Sequence, residues 1–285
     1  MSAFRKGFFL LGLFLLVFSC RSNPPYDQES PLEQLRADHT GKLRDQFFRE
    51  HQDERDKMVD GVIAKNKGVP ITDPRVIRAL RKVPRHAFLT VRYLVENRAY
   101  IDRPVSIGYG FQTMTGPSEV AIMMQLLGVK PGEKVLEIGT GSSYQAALLA
   151  EITSHVYSIE IIKQLGQEAA ERLKLLGYTT VQTRIGDGYF GWPQAAPFDA
   201  IIVTCAAGHI PPPLLSQLAN GGRMVIPVGS PNQLQRLIFV TKDSEGNLKT
   251  EDRMPIRFVP MTGSSQPGNN FDILRALPPA GTNRK

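Results

Sequence analysis

One stretch, Lys134 through Ala150, constrains this chain more than any other. Val135, Leu136 and Ile138 read as a short buried strand, Gly139-Thr140-Gly141 as a tight turn, and Tyr144 to Glu151 as an Ala/Leu-rich run that propagates a helix. Strand, glycine turn and helix start together make a nucleotide cradle. Glycine lets the backbone come close to a ligand, and the first helical turn offers N–H groups with no partner inside the helix.

Two classes of nucleotide use such a cradle. Dinucleotide sites want G-x-G-x-x-G. Gly139 and Gly141 supply the first two glycines, but Tyr144 holds the third place, so that fingerprint fails. Acids stand in the flanks instead. Glu137 lies inside the first strand, and a second strand, His155 to Ile159, ends in Glu160. An acid there can accept hydrogen bonds from both hydroxyls of a ribose. Carboxylates around the turn suit a cofactor that lacks a pyrophosphate and carries positive charge, and S-adenosylmethionine is one. Gly186-Asp187-Gly188 closes a third strand, with Asp187 placed to accept from an adenine amino group.

The rest of the chain keeps the same rhythm. Thr72-Asp73-Pro74 opens a helix with Val76, Ile77, Leu80 and Val83 on one face. Ser118 to Leu127 and Gln164 to Leu176 are further helices, the second capped by Gly177-Tyr178. Strands are expected over Thr180–Ile185, Ala200–Thr204, Arg223–Val228, Gln235–Lys242 and Ile256–Pro260, with a helix over Pro211–Leu218. This alternation predicts an α/β fold: a doubly wound, mostly parallel sheet with helices on both faces, plus an N-terminal helical extension. Ala99 to Pro117, punctuated by Gly and Pro, reads as a functional loop. Leu43, Phe47 and Phe48 share a helical face in a helix that continues through Ala64.

The N-terminus has targeting composition. Arg5 and Lys6 precede an apolar run over residues 7–18, then Ser19-Cys20. The run is short for a membrane span, and Cys20 sits where a bacterial lipobox places its lipidated cysteine. The expectation is a signal peptide over residues 1–19 and an exported protein, periplasmic or tethered to a membrane through Cys20. Removing residues 1–19 lowers the formal charge from +7 to +5. Residues 20–53 are expected to be a tether and the start of the helical extension, 54–263 the catalytic domain, and 264–285 a polar tail. The positive charge is scattered, with no basic run interleaved with aromatics, so no nucleic-acid partner is implied. Two cysteines, Cys20 and Cys205, give no metal spacing and no disulfide framework.

Lys134–Ala150, Val156–Glu160, Gly186–Trp192, Ala196–Thr204 and Gly222–Gly229 resemble the successive motifs of protein-L-isoaspartate O-methyltransferases. Ile71–Phe88 and Tyr100–Pro117 match the parts that set this family apart from other Rossmann-like methyltransferases. The resemblance implies methylation of the α-carboxylate of L-isoaspartyl residues in damaged proteins or peptides, with S-adenosylmethionine as donor. The ester then cyclises to a succinimide that opens partly to aspartate. It implies Thr115 as the hydroxyl that holds the acceptor, with Thr113 and Gln112 beside it, and Glu137, Gly139, Thr140, Gly141, Glu160, Asp187 and Gly188 as cofactor residues. A monomer is the favoured state, and the family resemblance by itself implies the cytoplasm. The chain departs from the family pattern in three places: Phe111 is an extra residue in the loop, Thr115 replaces a serine, and Ser143 replaces a glycine. The loop changes keep open a same-fold methyltransferase with another carboxylate or small-molecule acceptor. The signal sequence keeps open an exported binding protein without catalysis. Cys205, Asp199 and Trp192 read as structural, and His209 as a surface residue.

Overall fold

The computed structural model describes residues 30–65, 68–90, 98–230 and 233–263. The expected signal peptide, Cys20 and the expected polar tail lie outside the described residues. The N-terminal part is helical: α1 (Pro31–Ala37), α2 (Lys42–Arg49), α3 (Gln52–Lys65) and α4 (Pro74–Lys82). A two-stranded hairpin follows, β1 (Val105–Gly108) and β2 (Gln112–Met114), then α5 (Pro117–Leu127). The α/β body is β3 (Lys134–Ile138), α6 (Tyr144–Ala150), β4 (His155–Glu160), α7 (Lys163–Leu175), β5 (Gln182–Ile185), β6 (Phe198–Val203), α8 (Pro212–Gln217), β7 (Leu218–Val228), β8 (Gln235–Lys242) and β9 (Leu248–Ile256).

The sheet runs β5-β4-β3-β6-β7-β8-β9. Neighbours from β5 to β7 are parallel, and β8 and β9 add antiparallel edges. Side chains alternate between its faces. Val135, Val156, Ala200, Ile202 and Val225 enter the larger core with the N-terminal helices, α5 and α6. Leu136, Ile138, Ile159, Ile201, Val203 and Met224 enter the other core with Leu214 of α8. Both faces are covered, which is why these strands read as continuous apolar runs. The doubly wound, mostly parallel reading holds.

Several local expectations change. Residues 20–53, expected to be a tether and the start of the helical extension, are helical from Pro31 onward, inside the part read as tether. Ser30 and Glu33 form a reciprocal capping box at α1, Leu32 and Leu35 are buried, and Arg36 pairs with Glu171 of α7 at 2.6 Å. The single helix through Ala64 is two, broken at Glu50–His51, where His51 takes a positive φ of 53°. The stretch read as a loop contains the β1–β2 hairpin, whose alternation of Val105, Ile107 and Met114 is hidden among glycines and prolines. Its tip uses positive φ at Gly108, Tyr109 and Gly110. The last strand ends, rather than begins, at Ile256. Residues 257–263 instead cross the carboxyl end of the sheet, with Ala206 N–H donating to Val259 O and Met261 N–H to Ala206 O, each at 2.8 Å.

Candidate active site

The cleft opens outside the carboxyl ends of β3, β4 and β6. The strand order reverses here, with β4 on one side of β3 and β6, reached after β5, on the other, and open α/β sheets bind ligands at such a switch point. One wall is the turn after β3. Gly139 has φ 94°, and a Cβ there would stand 2.6 Å from Thr204 Oγ1, so glycine is required on both grounds. The Thr204 hydroxyl is shared between the carbonyls of Ile138 (2.9 Å) and Gly139 (2.7 Å), fixing the turn to the end of β6. Glu160 ends β4 beside it. Its Oε2 accepts from Gly141 N–H at 2.8 Å and its Oε1 from Ile162 N–H at 3.0 Å. The carboxylate is 6% exposed, and burial raises its pKa against the lowering effect of those amides.

The facing wall comes from elsewhere in the chain. Ile107 and Gln112–Thr115 of the hairpin line it, together with Val259–Thr262 of the crossing segment. Tyr144 and Gln145, at the start of α6, complete the floor. Thr115 is held by its backbone: Arg85 Nη2 donates to its carbonyl at 2.7 Å. The hairpin is clasped to α7 by Tyr109 O–H donating to Glu168 Oε1.

The structure thus gathers Gln112, Thr113, Thr115, Gly139, Thr140, Gly141, Glu160 and Gly188 around one cleft. It does not bring Glu137 there. Strand alternation turns Glu137 onto the helix-covered face with Val135, fully buried. There its Oε2 accepts from Ser158 Oγ (2.5 Å), and Ser158 in turn meets Thr140 Oγ1 (2.6 Å). Burial, reinforced by the nearby Glu160, pushes Glu137 up to about 8. Burial favours its neutral form, and through Ser158 and Thr140 it braces the turn from behind rather than lining the cleft. Asp187 stands at the margin: it caps Tyr189 N–H at 2.9 Å and lies against Gly263, while the adjacent Gly188 lines the cleft. Gly188 has no room for a side chain, because a Cβ would collide with Ile138.

Asp199 and Trp192 make structural contacts. Asp199 accepts from Lys134 N–H (2.7 Å), and Trp192 packs edge-on against Tyr157. His209 is exposed. Cys205 borders the cleft, but burial raises its thiol pKa and keeps it protonated. Thr204, Tyr144 and Met261–Thr262 were not signalled by any motif. Thr204 was within reach of the rule that strand ends carry the site; the others are placed only by tertiary packing.

The sequence matches the family model of protein-L-isoaspartate(D-aspartate) O-methyltransferase over residues 54–266. It is 53% identical over 214 residues to protein-L-isoaspartate O-methyltransferase 1 of Nitrosospira multiformis, covering 75% of this chain and 89% of that protein. It is 55% identical over 196 residues to protein-L-isoaspartate O-methyltransferase 2 of Syntrophobacter fumaroxidans, covering 69% and 78%. A solved protein-L-isoaspartate O-methyltransferase superposes with TM-score 0.65 at 28% identity, over 74% of this chain and 67% of that one. A Plasmodium falciparum PCMT structure in complex with S-adenosyl-L-homocysteine shares the fold, with TM-score 0.58 at 23% identity over 73% and 98%.

Proposed function

The chain belongs to the protein-L-isoaspartate(D-aspartate) O-methyltransferase family, and from that premise we propose that its cleft is where L-isoaspartyl residues of damaged proteins are methylated. The enzyme uses S-adenosylmethionine and acts on the free α-carboxylate. The observation that carries this reading is the meeting of two walls: Glu160 and the glycine turn on one side, Gln112–Thr115 on the other.

The residues of the turn wall fit the cofactor chemically. Each Glu160 oxygen accepts one backbone N–H and keeps a second lone pair for a ribose hydroxyl. Gly139, Thr140, Gly141 and Gly188 let the backbone close on the ligand, and Ile138, Ile159 and Ile162 supply apolar surface. When bound, S-adenosylmethionine supplies a methyl group already activated by a sulfonium.

The protein has little proton chemistry to do. An α-carboxylate is ionised near neutral pH, so no strong base is needed. With the cofactor held in the cleft, methyl transfer to one carboxylate oxygen would leave the bonding pair on the cofactor's sulfur and would require no proton to move. The protein's task is to align the acceptor and exclude water. The Thr115 hydroxyl donates a hydrogen bond to the other carboxylate oxygen, with Thr113 and Gln112 beside it. Transfer of label from S-adenosylmethionine to an isoaspartyl peptide, with the matching aspartyl peptide as control, tests this. Selective labelling of the isoaspartyl peptide is expected, and equal or absent labelling contradicts it.

Export is part of the proposal. Arg5, Lys6, the apolar run 7–18 and Cys20 support a cleaved signal and a lipid-tethered or periplasmic protein. Mass analysis of the mature N-terminal peptide decides it: a diacylglyceryl adduct on Cys20 is expected, and an intact Met1 start sinks the idea. The protein acts as a monomer, which light scattering of the purified chain checks.

A further inference from the structure

Arg85 lies directly behind the acceptor wall, in the short turn Arg85–Phe88 after α4. It is completely buried. Its Nη2 holds the Thr115 carbonyl, and its guanidinium carbon stands 4.9 Å from the centre of the Tyr144 ring. Its Nε and Nη1 and the buried Tyr144 hydroxyl make no hydrogen bond of good geometry, so the polar contact Arg85 has on this side is its loose approach to Tyr144. Among the described residues no carboxylate forms an ion pair with Arg85. Asp102, the acid that acts on it from a distance, is committed to Lys65 and Ser118.

Arginine keeps its proton in proteins, and a buried cation without a counter-charge costs several kcal/mol. A fold in which purely structural packing mattered at this site would be better served by an apolar side chain of similar volume. The cation instead sits one layer behind two residues that line the cleft, Thr115 and Tyr144. Its field is therefore felt on the side where the acceptor is held. With little intervening water the attraction is screened far less than at the surface.

We propose that Arg85 is a positioning residue that makes the acceptor site select a carboxylate: it fixes the Thr115 backbone and supplies the uncompensated positive charge that an anionic acceptor neutralises. The proposal rests on the carboxyl-methylation reading. It has a second consequence. Methylation turns the anion into a neutral ester, so the product loses the attraction that seated the substrate, which favours its release.

The test is a binding measurement on the full chain loaded with S-adenosylhomocysteine. An isoaspartyl peptide is compared with the same peptide carrying an α-carboxamide. The wild-type protein is expected to prefer the carboxylate by about tenfold or more. Arg85→Met is expected to bring the two affinities within about twofold of each other while the affinity for S-adenosylhomocysteine holds, since a merely structural lesion would weaken both peptides alike. Arg85→Lys keeps the charge but not the fork. It should retain the preference and lose transfer rate, and it serves as the readable variant if Arg85→Met does not fold. A wild-type protein without carboxylate preference, an Arg85→Met protein that keeps it, or a folded Arg85→Lys protein that loses it overturns the inference. If the wild-type protein methylates no isoaspartyl peptide, the functional reading itself falls. If it methylates and the preference survives in Arg85→Met, only the role of Arg85 falls.

Discussion

The two walls of the cleft are built on opposite plans. The cofactor wall is one strand–turn–helix segment, the end of the neighbouring strand, and Gly188 after the next one. Its parts are joined by short backbone bonds, such as Gly139 N–H and Thr140 N–H to Ile159 O at 2.9 and 3.2 Å. The acceptor wall is collected from Arg85, the hairpin, Thr115 and the segment 259–262. No one of these touches the chemistry by virtue of its local sequence. A wall made of one piece is fixed by turn geometry, whereas a wall made of several is fixed by packing and a few buried polar contacts. Damage to the first should therefore appear as lost cofactor affinity. Damage to the second should appear as lost rate or selectivity with the cofactor still bound.

The largest effect is expected at the turn itself. Gly139→Val puts a branched side chain at φ 94° and into Thr204. Loss of cofactor binding by more than about 100-fold, with a stability cost of about 3 kcal/mol, should follow in calorimetry and thermal melts. Retention of binding would break the argument that this wall is set by backbone geometry.

Glu137 sharpens the comparison through pH. Its folded-state pKa is raised from 4.5 to about 8 by burial, so the folded state holds the proton more tightly than the unfolded chain. The stability this gives is complete below about pH 4.5 and drains away as pH rises through about 8. About 5 kcal/mol is at stake between those limits. Glu137→Gln should flatten that part of the stability–pH curve, as read by denaturant melts across the range. An unchanged slope would mean that Glu137 is not the neutral brace described.

The smallest effect belongs to Phe111, 82% exposed at the hairpin tip. Phe111→Ala should change the KM for isoaspartyl peptides by about threefold or less and leave cofactor affinity alone. A large loss of cofactor binding would show that the hairpin belongs to the other wall.

The same contrast explains what the sequence disclosed. Gly139, Gly141 and Glu160 were legible because strand, turn and acid follow one another in a fixed order with a physical reason for each. Glu137 was legible as an acid but not as to its side: a one-residue alternation in β3 decides whether it faces ligand or core. The Ser30-x-x-Glu33 box was readable as a helix start, yet the prolines around it suggested a tether. The hairpin and the 257–263 crossing were not readable. The two hairpin strands pair with one another, and the crossing segment is held by Ala206 and by the Gln235 side chain, all contacts made at a distance along the chain or across glycines. Arg85 gave no signal either, because a lone arginine after a proline says nothing about burial.

The most direct measurement compares Glu160→Ala and Thr115→Val, each assayed for S-adenosylhomocysteine affinity and for methyl transfer to an isoaspartyl peptide at saturating cofactor. Glu160→Ala is predicted to weaken cofactor binding on the order of 100-fold. Thr115→Val is predicted to lower kcat about tenfold or more with cofactor affinity intact. If both variants weaken cofactor binding alike, or if Thr115→Val transfers methyl at the wild-type rate, the division of the cleft into a cofactor wall and an acceptor wall is wrong.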